Sequence, residues 1–240
     1  MNTLMWAAAF LLLVLAAVFF HWRRRVLALQ RLDYIRRFEL PKGLFDRLRK
    51  RRPGMTLKEC QLVAQALRQF FLAYAVSGKK FVSMPSQVVD DLWHEFILYT
   101  KNYQLFCRRA FGGFLHHTPA VVLGSDRQIN AGLRRCWWFA CREENIDPRQ
   151  PTRLPLLFAV DAKLDIADGF RYVPDCQSIR RESKGQSSRE PHCGGDFGSA
   201  SFDGGADGFG DAPGGDSGGG GDGDGCGGDG CGGGGCGGGD

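Results

Sequence analysis

Residues 3–20 carry no charge and almost no polar side-chain atom, and the second half of the run is Leu11-Leu12-Leu13-Val14-Leu15-Ala16-Ala17-Val18-Phe19-Phe20. Eighteen such residues in a helix rise about 27 Å, close to the hydrocarbon thickness of a bilayer. Trp6 and Trp22 bracket the run where interfacial indoles sit. A cleaved signal peptide would want a basic segment before the run and small residues after it. Here the first five residues contain no basic side chain, and the run ends in Phe19-Phe20-His21-Trp22. Residues 1–22 therefore read as an uncleaved anchor. Arg23, Arg24 and Arg25 follow directly, and the positive-inside rule holds that flank in the cytosol. The expectation is a single-pass protein of the cell membrane, N-terminus outside and C-terminal body in the cytosol.

Beyond the anchor the chain divides by composition. Of 34 glycines in 240 residues, 9 precede residue 194 and 25 lie within residues 194–240. All 31 Lys and Arg precede residue 194 with 17 of the 26 acids, so a body at +14 carries a tail at −9. Two large domains, a secreted disulfide miniprotein and a multi-span transporter are excluded on this ground. Residues 23–54 form a basic juxtamembrane segment, with 12 Lys and Arg against 3 acids over residues 23–52. Val26, Leu27, Leu32, Ile35 and Phe38 give it a rough apolar side suited to lying along a membrane. Its expected partners are membrane lipids including anionic headgroups, not nucleic acid.

Residues 55–175 read as a small all-α domain. Arg52-Pro53-Gly54 punctuates the chain, and Thr56-Leu57-Lys58-Glu59 has the form of a capping box. Cys60, Val63, Leu67, Phe70, Phe71 and Tyr74 then recur at helical spacing up to Ser77-Gly78. A second helix is expected from Ser83-Met84-Pro85 to about Ala110, burying Val89, Leu92, Trp93, Phe96, Thr100, Tyr103 and Cys107. A third is expected from Ser125, through a second capping-box pattern, burying Ile129, Leu133, Cys136, Trp137 and Ala140. The apolar stretch after Leu154-Pro155 suits a short helix or a buried strand; we favour the helix. From residue 176 the Ser/Arg-rich and then Gly/Asp/Cys-rich composition predicts a disordered linker and tail.

Histidine supplies the sharpest chemical signal. Three of the five fall within 24 residues: His94, His116 and His117, with Asp90, Asp91 and Glu95 beside them. Asp90 and His94, four apart, share a helix face. Cys107 lies about 140° around and nearly 20 Å along the same helix from His94, and Cys136 and Cys141 diverge by about 140°, so neither arrangement closes on one metal. The set that geometry permits is Asp90, His94, His116 and His117, if the segment after Phe111 folds back. Imidazole and carboxylate suit a divalent ion such as zinc. The same residues also suit a structural role, with Asp90 holding the His94 ring and the His pair lying in a loop. No phosphate loop, dinucleotide glycine pattern, serine elbow or zincin helix is present, so the sequence assigns no reaction.

The run Val89-Asp90-Asp91-Leu92-Trp93-His94-Glu95-Phe96-Ile97-Leu98, followed by Phe111-Gly112-Gly113-Phe114-Leu115-His116-His117, resembles a group of largely uncharacterised bacterial glycine-rich membrane proteins. More distantly it is similar to the Asp-x-x-Trp-His core of plant glycine-rich domain proteins. The resemblance covers roughly residues 80–175 and implies that the three histidines form a site; it implies no activity.

In the tail, Cys226, Cys231 and Cys236 recur every five residues among glycine and aspartate. Three flexible thiols can wrap a soft metal, with His192-Cys193 as further ligands, or simply remain reduced in the cytosol. Taken together, the sequence describes a binding or scaffold protein whose cytosolic helical domain takes an unidentified protein partner or ligand. A membrane-tethered metal-binding protein or metalloenzyme built on the histidines is the alternative.

Overall fold

The computed structural model describes residues 2–117, 126–174, 192–193 and 197. Its architecture is mainly helical, with seven helices among the described residues: α1 (Asn2–Arg37), α2 (Leu44–Arg51), α3 (Leu57–Val76), α4 (Gln87–Leu98), α5 (Thr100–Phe111), α6 (Asp126–Glu143) and α7 (Leu156–Lys163). A two-residue strand β1 (Tyr172–Val173) pairs in parallel with β2 (His192–Cys193), Tyr172 opposite His192. The tail thiols Cys226, Cys231 and Cys236 and the capping pattern at Ser125 lie outside the described residues.

Helix α3 is the hub, packed on by α1, α4, α6 and α7. It starts where the sequence says it should. Thr56 accepts from the Glu59 N–H, and the Glu59 carboxylate accepts from the Thr56 N–H at 2.7 Å, a closed capping box. Its apolar face is wholly buried at Cys60, Val63, Leu67, Phe70 and Phe71. Around it lies a mostly aromatic core in which Phe70 meets Trp93 at 4.9 Å and Phe71 meets Phe106 at 4.8 Å. A second aromatic group, Trp137, Phe158, Tyr172 and Phe197, closes the α6–α7 side. The stretch after Pro155 is helical, as favoured from sequence.

Three expectations need correction. The single long helix from Ser83 to Ala110 is two helices broken at Tyr99, where φ −82° and ψ 60° turn the chain. The reason is geometric. In one straight helix Trp93 and Phe111 would stand about 27 Å apart, yet both rings lie 6.1 Å from Phe71. Folding back at Tyr99 lets α5 share the core, and it leaves Thr100 exposed instead of buried. The start also shifts: Ser86 is the N-cap, accepting from the Val89 N–H, so Pro85 precedes the helix and is not in its first turn. Finally, the apolar side of residues 26–38 is not free. Ile35 is fully buried, and Leu32, Tyr34 and Phe38 pack on the core, with Phe38 4.5 Å from Phe106.

Candidate functional site

The pair Asp90 and His94 sits on one face of α4, one turn apart. His117 arrives from the segment after α5. Gly112 allows this return, since at φ +71° it ends α5 in the left-handed conformation that a side chain disfavours. The returning segment is then pinned. The Tyr103 hydroxyl, buried on α5, donates to the Leu115 carbonyl at 2.6 Å and accepts from Trp93 Nε1–H at 3.2 Å. Burial pushes the Tyr103 phenol and the neighbouring Cys107 thiol up, so both stay neutral.

Two residues beyond this clamp, His117 closes over α4. His117 Nε2 lies 2.9 Å from Asp90 Oδ1. His94 Nδ1 lies 3.3 Å from the other oxygen, Oδ2. The two rings stack obliquely with centroids 4.2 Å apart, and Trp93 backs His117 edge-on at 4.6 Å. One ligand atom from each of Asp90, His94 and His117 lies within 4.8 Å of the others. One detail sets His94 apart: its Nδ1 is buried and makes no well-directed hydrogen bond, although Asp90 is close enough for an ion pair. The distance is right and the angle is not. A lone pair aimed into the space between the two imidazoles and the carboxylate would produce that geometry.

Tetrahedral ligands around a zinc-sized ion stand about 3.4 Å apart. The separations of 2.9 and 3.3 Å, each from a ring nitrogen to one of the two Asp90 oxygens, lie a little below that value. With ligand atoms within 4.8 Å of one another, these residues could supply three of the four positions of a tetrahedral ion, with the fourth open to water or a ligand. His116, the fourth residue expected from sequence, does not join them. Its side chain is exposed and its ring packs on Phe114 at 4.8 Å, because successive residues in an extended segment point to opposite sides. Cys107, Cys136 and Cys141 are buried free thiols in the core, and none belongs to this group. An open groove lined by Leu40, Phe45, Leu57 and Arg68 lies elsewhere and shares no residue with the histidines.

The supporting roles of several residues were missed from sequence, and Asp161 was missed altogether. The carboxylate of Asp161 on α7, 1% exposed, accepts from Ser86 Oγ at 2.6 Å, from the Gln87 and Val88 N–H groups and from the Phe170 N–H. It thereby fixes the start of the helix that carries Asp90 and His94. Asp91, also 1% exposed, is held by Arg51 at 2.9 Å and Arg52 at 2.7 Å, and Glu95 by Arg47. A charged residue among apolar neighbours is the only signal that could have marked Asp161, and nothing in the sequence pairs it with Ser86.

Comparison with known proteins yields a family and no activity. The model of the UCP032817-like family matches residues 30–197, which takes in α2 to α7 and every residue of the cluster. No curated protein and no solved structure matches the chain. The chain belongs to the UCP032817-like family.

Proposed function

We propose that this UCP032817-like family member is a membrane-anchored metal-binding protein, whose helical domain holds one divalent cation through Asp90, His94 and His117. The observation that carries the reading is the convergence of those ligand atoms within 4.8 Å around the buried, poorly partnered His94 Nδ1. Two imidazoles and a carboxylate suit zinc and its first-row neighbours. The Tyr103 clamp holds the loop that positions His117, and Trp93 fixes its ring, as outer partners commonly do for metal-binding histidines. The sequence-based expectation of a ligand-binding domain thus acquires a chemical class of ligand.

Anchoring is the second part of the reading. Among the described residues, one helix is long and apolar enough to cross a membrane. Its large apolar side chains, among them Phe10, Leu13 and Phe20, are exposed, so the domain itself gives that surface no cover.

Metal analysis of the full-length protein tests the site. The purified chain should bind about one zinc or cobalt ion at imidazole and carboxylate ligands. Co²⁺ should show ligand-field bands without thiolate charge transfer, separating this site from the tail thiols. His94→Ala and His117→Ala should abolish those bands, whereas His116→Ala and a Cys226→Ser/Cys231→Ser/Cys236→Ser chain should keep them. Bands that persist in His117→Ala, or that depend on the cysteines, would sink the proposal.

A further inference from the structure

The end of the domain nearest the anchor carries a second feature, independent of the metal cluster. We propose that this end docks on the anionic lipid surface that α1 enters, through two tips formed by residues 76–81 and 108–114. The inference rests on the reading of α1 as a membrane span.

Position comes first. Helix α1 continues unbroken from the apolar run to Arg37, where the domain grips it. Ile35 is fully buried, and Arg36 makes a two-pronged contact with Glu143 of α6 at 2.9 and 2.8 Å. A side chain added at Gly112 would come 2.5 Å from Arg31 Nη2, so the Arg31 guanidinium lies against the C-terminal turn of α5, the negative end of that helix. The Phe111 ring meets Tyr74 of α3 at 5.0 Å, and the Tyr74 carbonyl accepts from the Lys79 N–H. Arg31, the turn after α5 and the turn after α3 therefore share one level along α1. That level is nine residues past Trp22, a rise of about 14 Å. A headgroup layer of roughly 6 Å leaves about 8 Å, one Debye length at physiological salt.

Charge follows. Residues 70–89 and 96–125 contain no Asp or Glu. Lys79, Lys80, Arg108 and Arg109 are exposed at the two tips, Arg109 also reaching the Tyr34 hydroxyl. Arg23, Arg24 and Arg25 stand below them on α1. Among nearby acids, Asp33 is paired with Arg37, Asp90 faces the two histidines, and Asp126 opens α6. The turn after α3 adds two exposed apolar side chains, Val76 and Phe81, 46% and 37% accessible. Basic groups with interspersed apolar ones, held at a fixed short distance above a membrane, match an anionic headgroup layer.

Amide hydrogen exchange of the full-length protein in lipid nanodiscs tests this. With phosphatidylserine in the disc, amides of residues 76–81 and 112–114 should exchange about fivefold or more slowly than in pure phosphatidylcholine. Residues 147–153, which lie outside both tips, should not change. The difference should vanish in a Lys79→Glu/Lys80→Glu chain and in about 0.5 M salt. Equal exchange at the tips in both lipids, with residues 3–20 protected, overturns the docking alone. Free exchange at residues 3–20 overturns the anchor, and the docking with it.

Discussion

Six consecutive residues, Asp90 to Glu95, face three environments, because each step along a helix turns the side chain by about 100°. Leu92 and Trp93 enter the core; Asp91 and Glu95 bind arginines of the α2 region; Asp90 and His94 face His117. Neighbours should therefore fail differently when changed. Trp93 packs on Phe70 and Phe71 and bonds the Tyr103 hydroxyl, so Trp93→Ala should cost about 3–5 kcal/mol in urea denaturation. A Trp93→Ala chain that denatures like the parent would refute this packing. His94→Ala, by contrast, should fold and lose only the bound ion. The cysteines yield a further prediction at this scale. Burial raises the Cys136 thiol and pushes Cys141 up to about 12. Both should resist iodoacetamide at pH 8 in the folded protein and react fully in denaturant. The sign of the linkage is fixed: the folded state keeps these protons after the unfolded state has lost them. Their contribution to stability is complete below the unfolded thiol value of about 8.5 and is lost as pH rises towards 12. Melting temperatures that hold steady across that window would contradict it.

At the scale of elements, the site depends on where α4 begins and where α5 turns back. Asp161 supplies the first. Its carboxylate accepts from two N–H groups of the first turn of α4 and from the Ser86 hydroxyl that caps it. Anionic acceptors at a helix N-terminus satisfy donors the helix leaves open and oppose its dipole. Asp161→Ala orphans these buried donors and should cost about 3 kcal/mol; Asp161→Asn, which keeps one acceptor oxygen, should cost less. Equal urea midpoints for Ala and parent would show that water replaces the carboxylate at no cost. On the other side of the domain Glu144 plays a related part. Burial alone would raise its carboxyl, but bonds from the Leu156 N–H, Gln69 and Arg153 outweigh that and hold it below the usual range.

For the whole molecule, the continuity of α1 from apolar run to core ties the domain directly to the apolar segment, with no flexible linker between them. A reporter that works only in the cytosol, fused after Asp240, should be active, because the basic residues beside the run all follow it. Activity of a reporter that works only outside the cytosol would reverse the orientation, and would remove the cytosolic lipid surface that the basic tips are proposed to meet.

Local rules were enough for much of this protein. Absence of charge over residues 3–20 marks a membrane-crossing candidate, and the capping box at Thr56 and the spacing of Cys60 to Tyr74 mark α3, since each depends on residues within a few positions of one another. Asp90 and His94 were legible as a pair for the same reason. What lay beyond sequence depended on contacts across the fold. The break at Tyr99 follows from Phe106 and Phe111 gaining more by burial on Phe71 than one straight helix could give them. His117 was separated from its neighbour His116 only by the clamp of Tyr103 on Leu115, which sets which ring faces Asp90. Asp161 and Ser86, 75 residues apart, meet only because α7 and α4 pack together. Sequence periodicity reports which face of an element is apolar; it holds no information about which distant element will cover that face, and the geometry of the site was decided there.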